Sequence, residues 1–370
     1  MRPVYIASDN ICSPLGYTTH DNMDAILSGA SALSLTKDDG LAPVPIYVGQ
    51  IKPDAPDKNL SRFETLAVRS AAAALEQVNI DPSADDVLFI LSTTKGNIDA
   101  IGERDADLLL HSSARKIAGH FQNSNAPLVV SNACISGVVA LIVARRYLER
   151  GHYRHAVVVG GDLVSPFVTL GFHSLQALSP ERCKPFDKNR RGINLGEAFA
   201  TLILTTDDGE SAYGASVRVR GGGLSNDANH ISGPSRTGEE LALAVKQALG
   251  RSNVQGDEVG FISAHGTATL YNDEMEAKAF NLAGMQHIPL HSLKGYFGHT
   301  LGAAGVVESV VGIQSLLRSV LVPTLGYSEN GVSQPVNVIK EATHKNMRYC
   351  LKTASGFGGC NAALLFEKVD

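Results

Sequence analysis

The chain has 370 residues, of which 44% are hydrophobic and 19% are charged, and its formal net charge is −5. This composition is typical of a globular protein, and the length is sufficient for two domains. The chain is slightly acidic and has no basic run, so we do not expect it to bind nucleic acid. The five cysteines form no CxxC pair, so we expect neither a metal site nor a disulfide framework. No apolar run reaches membrane-spanning length, so we expect no membrane insertion and a cytoplasmic location.

The first half alternates short apolar stretches with helical patterns. Residues 4–7 and 87–92 have the continuous apolar pattern of buried strands, and residues 64–78 have an alanine-rich helical face. Residues 94–126 are polar and are predicted to be mostly helical. Residues 198–205 form another apolar stretch, which we predict to be the strand that closes this half.

A strand, a sharp turn and a helix are predicted within residues 128–151. Residues 128–131 are apolar and β-branched, residues 132–134 turn the chain, and residues 138–150 carry apolar side chains at helical spacing. Cys134 is therefore expected at a helix N-terminus, where unpaired N–H groups and the helix dipole favour an anion. Such a position lowers a cysteine pKa from about 8.5 toward the thiolate at neutral pH. The alternative is a small, buried and unreactive cysteine.

The second half repeats the alternation of strands and helices. Residues 215–223, 259–263 and 362–366 are predicted strands, and residues 239–249 are a predicted helix. Alternating strands and helices favour an α/β fold with mixed sheets. We predict two units, residues 1–205 and 206–370, which share one large interface because no low-complexity linker separates them.

Three glycine-flanked stretches of the second half hold candidate catalytic residues. His265 directly follows a predicted strand in SAHGTAT, and His299 precedes the small-residue helix start GAAG. The stretch SGFGGCN, residues 355–361, is a glycine-rich turn before the last strand. A single histidine in such a place is more often structural than catalytic. Two of them, together with a similarly placed cysteine, indicate a shared site.

The motifs SNACISG, SAHGTAT, LKGYFGHTLGAAGVVES and SGFGGCN occur in the order found in the β-ketoacyl synthases of the thiolase superfamily. The opening RPVYIASDNICSPLG and the block CKPFDKNRRGINLGEAFATLIL also resemble that family, so the resemblance covers almost the whole chain. It implies a thiolase-like α/β fold of five layers, α-β-α-β-α, built from two similar fused halves with mixed five-stranded sheets. The first half would carry the nucleophile and the second both histidines.

The resemblance also implies the reaction and its main residues. Cys134 would accept the acyl group, His265 and His299 would complete the active site, and Lys294 and Glu308 would organise the histidines. The implied reaction is the decarboxylative Claisen condensation of that acyl group with malonyl-acyl carrier protein. It gives a β-ketoacyl-acyl carrier protein, in fatty-acid, polyketide or aryl-polyene synthesis, and needs no cofactor.

Further residues match the family less specifically. The backbone N–H groups of Cys134 and Phe357 would form an oxyanion hole, and the Phe357 ring would separate the acyl pocket from the malonyl entrance. Its neighbours Gly356 and Gly358 would let the bare backbone reach the substrate. Thr267 and Thr269 could contact a phosphopantetheine arm, although helix capping explains them equally well.

The implied partner is an acyl carrier protein that bears acyl and malonyl groups on phosphopantetheine. Arg62 and Arg69 are weak candidates for docking it, and a solvated surface is the slightly favoured alternative. A homodimer is expected, with a heterodimer of related subunits left open.

Several departures from the family pattern keep the substrate and the role open. The chain is short between residues 94 and 129, and Ser355 and Cys360 replace a phenylalanine and a threonine of the family's final loop. These differences favour a specialised polyketide or aryl-polyene synthase. Two other functions remain: a thiolase acting on coenzyme A esters, with Cys360 as base, and a non-catalytic chain-length subunit.

Overall fold

The computed structural model describes residues 2–52, 59–102, 105–228 and 233–369. Within these ranges the chain forms sixteen strands and nine α-helices. The strands are β1 (Tyr5–Cys12), β2 (Ser34–Thr36), β3 (Ile46–Gly49), β4 (Val87–Ser92), β5 (Leu128–Val130), β6 (His155–Asp162), β7 (Leu195–Gly196), β8 (Ala198–Thr205), β9 (Ser216–Asn226), β10 (Val259–Ser263), β11 (Pro289–His291), β12 (Val320–Leu321), β13 (Asn337–Val338), β14 (Thr343–His344), β15 (Tyr349–Gly356) and β16 (Cys360–Val369). The helices are α1 (Thr19–Leu27), α2 (Arg62–Leu75), α3 (Leu110–His120), α4 (Ser136–Glu149), α5 (Pro166–Ser174), α6 (Glu239–Ser252), α7 (Leu270–Leu282), α8 (Lys294–Phe297) and α9 (Ala304–Arg318).

The predicted strands at residues 87–92, 198–205 and 259–263 have the observed bounds of β4, β8 and β10. Every residue of β4 and β8 is buried, which is why their sequences are continuous apolar runs. The polar segment 94–126 is less helical than predicted. Where the structure describes this segment, its one α-helix is α3, and two short 3₁₀ turns precede that helix. Strand β15 is an element that the sequence pattern does not predict.

Eleven strands are hydrogen-bonded in the order β13-β11-β10-β15-β16-β9-β1-β8-β6-β4-β5. The first half contributes β1-β8-β6-β4-β5 and the second β9-β16-β15-β10-β11, and the two-residue strand β13 pairs with β11 at the edge. Numbered along the chain within each half, the two sets of five strands have the same spatial order. In both sets each of the first three strands is antiparallel to its neighbour within that group, and the last three strands are parallel to one another. Two predicted five-stranded mixed sheets are therefore present, joined where Tyr5 and Ile6 of β1 pair with β9.

Helices lie on both faces of these two sheets and between them. Helix α2 covers β1, β6 and β8 on the outside of the first sheet, and α6 covers β9 and β16 on the outside of the second. Helices α4 and α9 contact strands of both sheets, so they form the central layer. This is the predicted five-layer order, and the largest apolar cluster surrounds the central helices.

Among the described residues, one helical stretch, Leu301–Arg318, is long and apolar enough to cross a membrane by length and composition alone. This stretch is 89% buried inside the protein. Burial of that extent is the environment of a core helix.

A pair of glycines sets the distance between the central helices α4 and α9. A Cβ atom built on Gly305 would lie 2.4 Å from the backbone nitrogen of Val138, and one built on Gly137 would lie 2.6 Å from that of Val306. Real Cβ atoms do not approach backbone this closely. The beginnings of the two helices therefore touch backbone to backbone, which brings the turn before α4 close to the loop before α9.

We expect Gly305→Ala to lower the free energy of unfolding by about 2 kcal/mol or more, because neither helix can move without disturbing both sheets. Urea unfolding followed by circular dichroism measures this loss. Gly119→Ala is the matched control, since Gly119 is also a helical glycine but has no atom within 4 Å of the place that an added methyl group would occupy. An equal loss in both variants would show that the close approach of α4 and α9 does not limit stability.

Candidate active site

Cys134 lies in a sharp turn between β5 and α4. The preceding Ala133 has a φ of 44°, which is in the left-handed region that L-residues rarely adopt. Ser136 stabilises this turn, because its hydroxyl donates to the carbonyl of Ala133 (2.6 Å) and accepts from the N–H of Asn132 (2.8 Å). The turn holds the thiol of Cys134 two residues before the helix begins, as predicted.

The predicted thiolate character of Cys134 is wrong for the resting protein. Burial raises the pKa of the Cys134 thiol to about 12, and the neighbouring Cys360 acts in the same direction. Lys294, the backbone N–H of Phe357 and Lys95 act in the opposite direction but do not offset the burial. Desolvation of the thiolate is therefore the largest influence on this thiol. Cys134 is a thiol at neutral pH and needs a proton acceptor.

The two predicted histidines lie next to this thiol. Nε2 of His299 is 3.0 Å from Sγ of Cys134, and the His265 and His299 rings are nearly perpendicular with centroids 5.3 Å apart. The sulfur and one nitrogen of each ring all lie within 4.8 Å of one another. A candidate metal site needs at least three His, Cys, Asp or Glu side chains whose ligand atoms lie close together. Among the described residues, one group meets this condition, and it consists of these same three side chains.

Both imidazoles are neutral. Burial holds the pKa of His265 and of His299 well below the usual value of 6.5, and the positive charges of Lys294 and Lys352 lower both further. A neutral imidazole can accept a proton at one nitrogen and donate a hydrogen bond from the other. His299 is therefore placed to accept the Cys134 proton, and either ring can donate to an oxygen bound in front of it.

The backbone around each histidine is tightly held. The N–H groups of His265 and Gly266 both donate to the carboxyl group of Glu276 on α7, at 2.8 and 2.6 Å. The N–H of His299 donates to the carbonyl of Asn194 at 2.7 Å. Each ring is thus carried by a loop that a second element fixes.

Lys294 and Glu308 lie behind His265, and the contact is with its backbone rather than its ring. Nζ of Lys294 donates to the carbonyl of His265 (2.9 Å) and to the carboxylate of Glu308. The other oxygen of Glu308 is 2.6 Å from Nζ of Lys352 on β15. The predicted pair of Lys294 and Glu308 therefore belongs to a buried cluster of three charged side chains, of which Lys352 is the third.

Two residues of this site, Lys352 and Glu276, are not among the site residues predicted from the sequence. A signal was present for Lys352, because it interrupts the otherwise uncharged stretch YCLKTASG. For Glu276 the signal was weaker: it shares one buried face of α7 with Asn272 and Asp273. Charged residues in such positions are expected only where they are paired.

Phe357 lies in the loop between β15 and β16. Its backbone N–H donates toward the sulfur of Cys134, and its ring lies 5.7 Å from the ring of Phe172. A Cβ atom on Gly356 would be 3.1 Å from the backbone nitrogen of Cys134, so this glycine allows the loop to approach the nucleophile. The side chain of Phe357 remains 38% exposed and stands at the mouth of a cavity.

The cavity has a volume of about 450 Å³ and leads from the surface to the thiol. Its lining includes seven of the predicted site residues: Cys134, His265, Thr267, Thr269, His299, Gly356 and Phe357. The hydroxyls of Thr267 and Thr269 are 2.9 Å apart, and Thr269 also caps α7 by accepting from the N–H of Asn272. The capping interpretation of Thr269 therefore holds, and both threonines still face the cavity.

Three further predicted site residues lie away from the cavity lining. Gly358 follows Phe357 with a φ of 84° and supports the loop conformation. Arg62 makes a two-pronged ion pair with the buried Glu197, at 2.6 and 3.0 Å. The guanidinium of Arg69 stacks over the ring of Tyr17. Carrier docking by these arginines stays a prediction, and for Arg62 the ion pair supplies a structural role.

Comparison with known proteins agrees with this geometry. Residues 1–209 match the family model described as beta-ketoacyl synthase, N-terminal domain, and residues 217–328 match its C-terminal domain. A 3-oxoacyl-[acyl-carrier-protein] synthase 2 of Vibrio harveyi is 26% identical, over all of this chain and 99% of the relative.

Solved structures are similar along the whole chain. A beta-ketoacyl synthase from Burkholderia phymatum superposes with a TM-score of 0.90 at 25% identity, and all of both chains is covered. A ketosynthase from Xenorhabdus doucetiae, solved in complex with its chain length factor, gives 0.87 at 26% identity, covering all of this chain and 98% of the other. The predicted thiolase-like architecture is confirmed.

Proposed function

Because the chain belongs to the β-ketoacyl synthase family, we propose that its cavity joins an acyl group carried on Cys134 to malonyl-acyl carrier protein, with loss of carbon dioxide. The product is a β-ketoacyl-acyl carrier protein. The observation that carries this proposal is the contact between His299 Nε2 and Cys134 Sγ, beside a second neutral histidine.

In the first step the acyl group moves from its carrier to the protein. His299 accepts the proton of the Cys134 thiol, and the sulfur attacks the carbonyl of the acyl thioester. The backbone N–H groups of Phe357 and Cys134 stabilise the oxyanion. The carrier thiolate leaves and takes up the proton, so one thioester replaces another.

In the second step the malonyl carrier occupies the cavity. Its carboxylate leaves as carbon dioxide, and the bonding electrons remain as an enolate whose oxygen accepts hydrogen bonds from the neutral imidazoles of His265 and His299. For this step His299 adopts the tautomer whose proton is on Nε2 rather than on Nδ1. The enolate carbon attacks the acyl carbonyl on Cys134. The new carbon–carbon bond forms as Cys134 leaves and regains a proton.

The carrier protein is the partner, since the substrates are thioesters of its phosphopantetheine arm. Thr267 and Thr269 would contact that arm, because both line the passage from the surface to Cys134. We propose a cytoplasmic protein with a nucleophile half, residues 1–205, and a histidine half, residues 206–370. A homodimer is the expected assembly, and the Xenorhabdus complex of a ketosynthase with its chain length factor is the precedent for a heterodimer.

The two other functions are less well supported. A chain-length subunit does not need a nucleophile, whereas Cys134 here contacts a histidine. A thiolase would use Cys360 as base, but the Cys360 thiol donates to the carbonyl of Phe357 (3.4 Å) and burial raises its pKa.

The test is to incubate the protein with acyl-carrier protein and malonyl-carrier protein and to follow the carriers by intact-mass analysis. We expect a β-ketoacyl carrier to form together with carbon dioxide. Condensation of two coenzyme A esters without carbon dioxide would instead identify a thiolase. An unmodified Cys134 under all conditions would identify a chain-length subunit.

A further inference from the structure

Lys352 is a completely buried lysine with a full set of partners. Its ammonium group donates to the carbonyls of Ser263 (3.0 Å) and Ala264 (3.2 Å) and forms an ion pair with Glu308 (2.6 Å). Two of its three hydrogen-bond donors therefore bind backbone carbonyls, and the charge itself is paired with the carboxylate. Burial of a charge costs several kcal/mol unless it is paired, so this arrangement is specific rather than incidental.

These contacts hold the segment that carries His265. In the sheet, Lys352 of β15 lies beside Ser263, the last residue of β10. Lys352 binds the carbonyls of Ser263 and Ala264, and Lys294 binds the next carbonyl, that of His265. Three consecutive carbonyl groups at the end of β10 are therefore held by two ammonium groups.

The cluster also contains more positive than negative charge. Lys294 and Lys352 both face the single carboxylate of Glu308, which binds one with each oxygen. Burial lowers the pKa of Lys352, and the charge of Glu308 acts in the opposite direction and favours the ammonium form. Burial raises the pKa of the next carboxyl group, Glu276, to about 7, so it offsets this excess only in part near neutral pH. A positive charge in a poorly solvated interior opposes protonation of the imidazoles and favours an anion beside them.

We propose that Lys352 is a positioning residue for the condensation step: it fixes the backbone before His265 and supplies the excess positive charge behind the two imidazoles. The inference rests on the proposed function, because the anion it favours is the enolate oxygen. Lys352 lies outside the cavity lining, so it acts through His265 and His299. A lone Lys–Glu pair would hold the His265 carbonyl but would leave the cluster neutral.

The test compares Lys352→Met and Lys352→Gln with the parent protein in two separate steps. Acyl loading of Cys134, followed by intact mass, should change by less than about threefold. The condensation kcat should fall by about ten- to a hundredfold, which is the effect expected from removing one charge near the reacting atoms at an effective dielectric constant of about 20. Lys352→Gln keeps an amide that can donate to the two carbonyls, so it separates the charge from the hydrogen bonds.

The pH dependence of condensation is the readout that a merely structural role would not move. The charged groups that act on the two rings are Lys294 and Lys352. Cys134 contacts His299, Glu308 pairs with both lysines, and Glu276 binds the backbone of His265. Loss of the Lys352 charge makes each imidazole easier to protonate and raises its pKa. The acid limb of the kcat profile should therefore move to higher pH in both variants.

Lys345→Met is the matched control. Lys345 also donates to a carbonyl of β10, that of Gly260 at 3.4 Å, but it is exposed and lies outside the buried cluster. It should leave loading, condensation and the pH profile unchanged. Equal losses of loading and condensation in the Lys352 variants, an unmoved acid limb, or failure of both variants to load would overturn the proposal. Absence of β-ketoacyl product from the parent protein would instead overturn the proposed function.

Discussion

Cys134→Ala protein is expected to carry no acyl group after incubation with acyl-carrier protein, and its condensation rate should fall by about 10⁴-fold or more. No other described side chain offers a nucleophile 3.0 Å from a neutral histidine. The two histidines remain in the variant, so release of carbon dioxide from malonyl-carrier protein should continue without product. Intact-mass analysis of the protein and a carbon dioxide assay measure the two effects separately.

Cys350→Ala is the control for this prediction. Burial raises the pKa of Cys350 to about 12, the same value as for Cys134, but Cys350 lies on β15 away from the cavity lining. Burial raises the pKa of both thiols, and they differ in their neighbours. Loading of the Cys134→Ala protein, or loss of loading in Cys350→Ala, would contradict the assignment of Cys134 as nucleophile.

Removal of either histidine should affect the two steps differently. His265→Ala should still load acyl groups at close to the parent rate, because the contact with the Cys134 sulfur is made by His299. Its condensation rate should fall by about 10²- to 10³-fold, since one donor to the enolate oxygen is lost. His299→Ala should lose loading by about 10²-fold or more as well, because a thiol with a pKa of about 12 then loses the base that contacts it.

Single-turnover experiments with radiolabelled acyl-carrier protein, followed by addition of malonyl-carrier protein, separate these steps. The parent protein and the Lys345→Met variant provide the reference rates. Fast loading in His299→Ala would mean that the thiol loses its proton to another group, such as the leaving carrier. Slow loading in His265→Ala would mean that this ring, and not only its neighbour, serves the first step.

Much of the fold could be predicted from short stretches of sequence. Strands β4, β8 and β10 are largely buried on both faces, so each is a nearly continuous apolar run whose ends are visible without the rest of the chain. Strand β15 escapes prediction because its buried residues include Lys352, Thr353 and Ser355, which interrupt the apolar pattern. The polar segment 94–126 is predicted too helical, since helical propensity alone does not reveal the turns that tertiary contacts impose.

The sequence by itself determined the candidate nucleophile and its two histidines. Each stands in a short motif near the end of a predicted strand or the start of a helix, and these motifs occur in the order found in the β-ketoacyl synthases. Only the tertiary structure decided their chemical state. Cys134 is a thiol rather than a thiolate because the surrounding elements exclude water from it, and burial depends on chain segments far away in sequence.

The charges behind the site depend on the fold in the same way. Glu308 meets Lys352 only because α9 lies in the central layer against β15, and Arg62 is held by Glu197 from a different part of the first half. A linear sequence shows which side chains can be charged. Which of them are paired, desolvated or left in excess is set by distances that exist only after folding, since electrostatic energies depend on separation and local solvation.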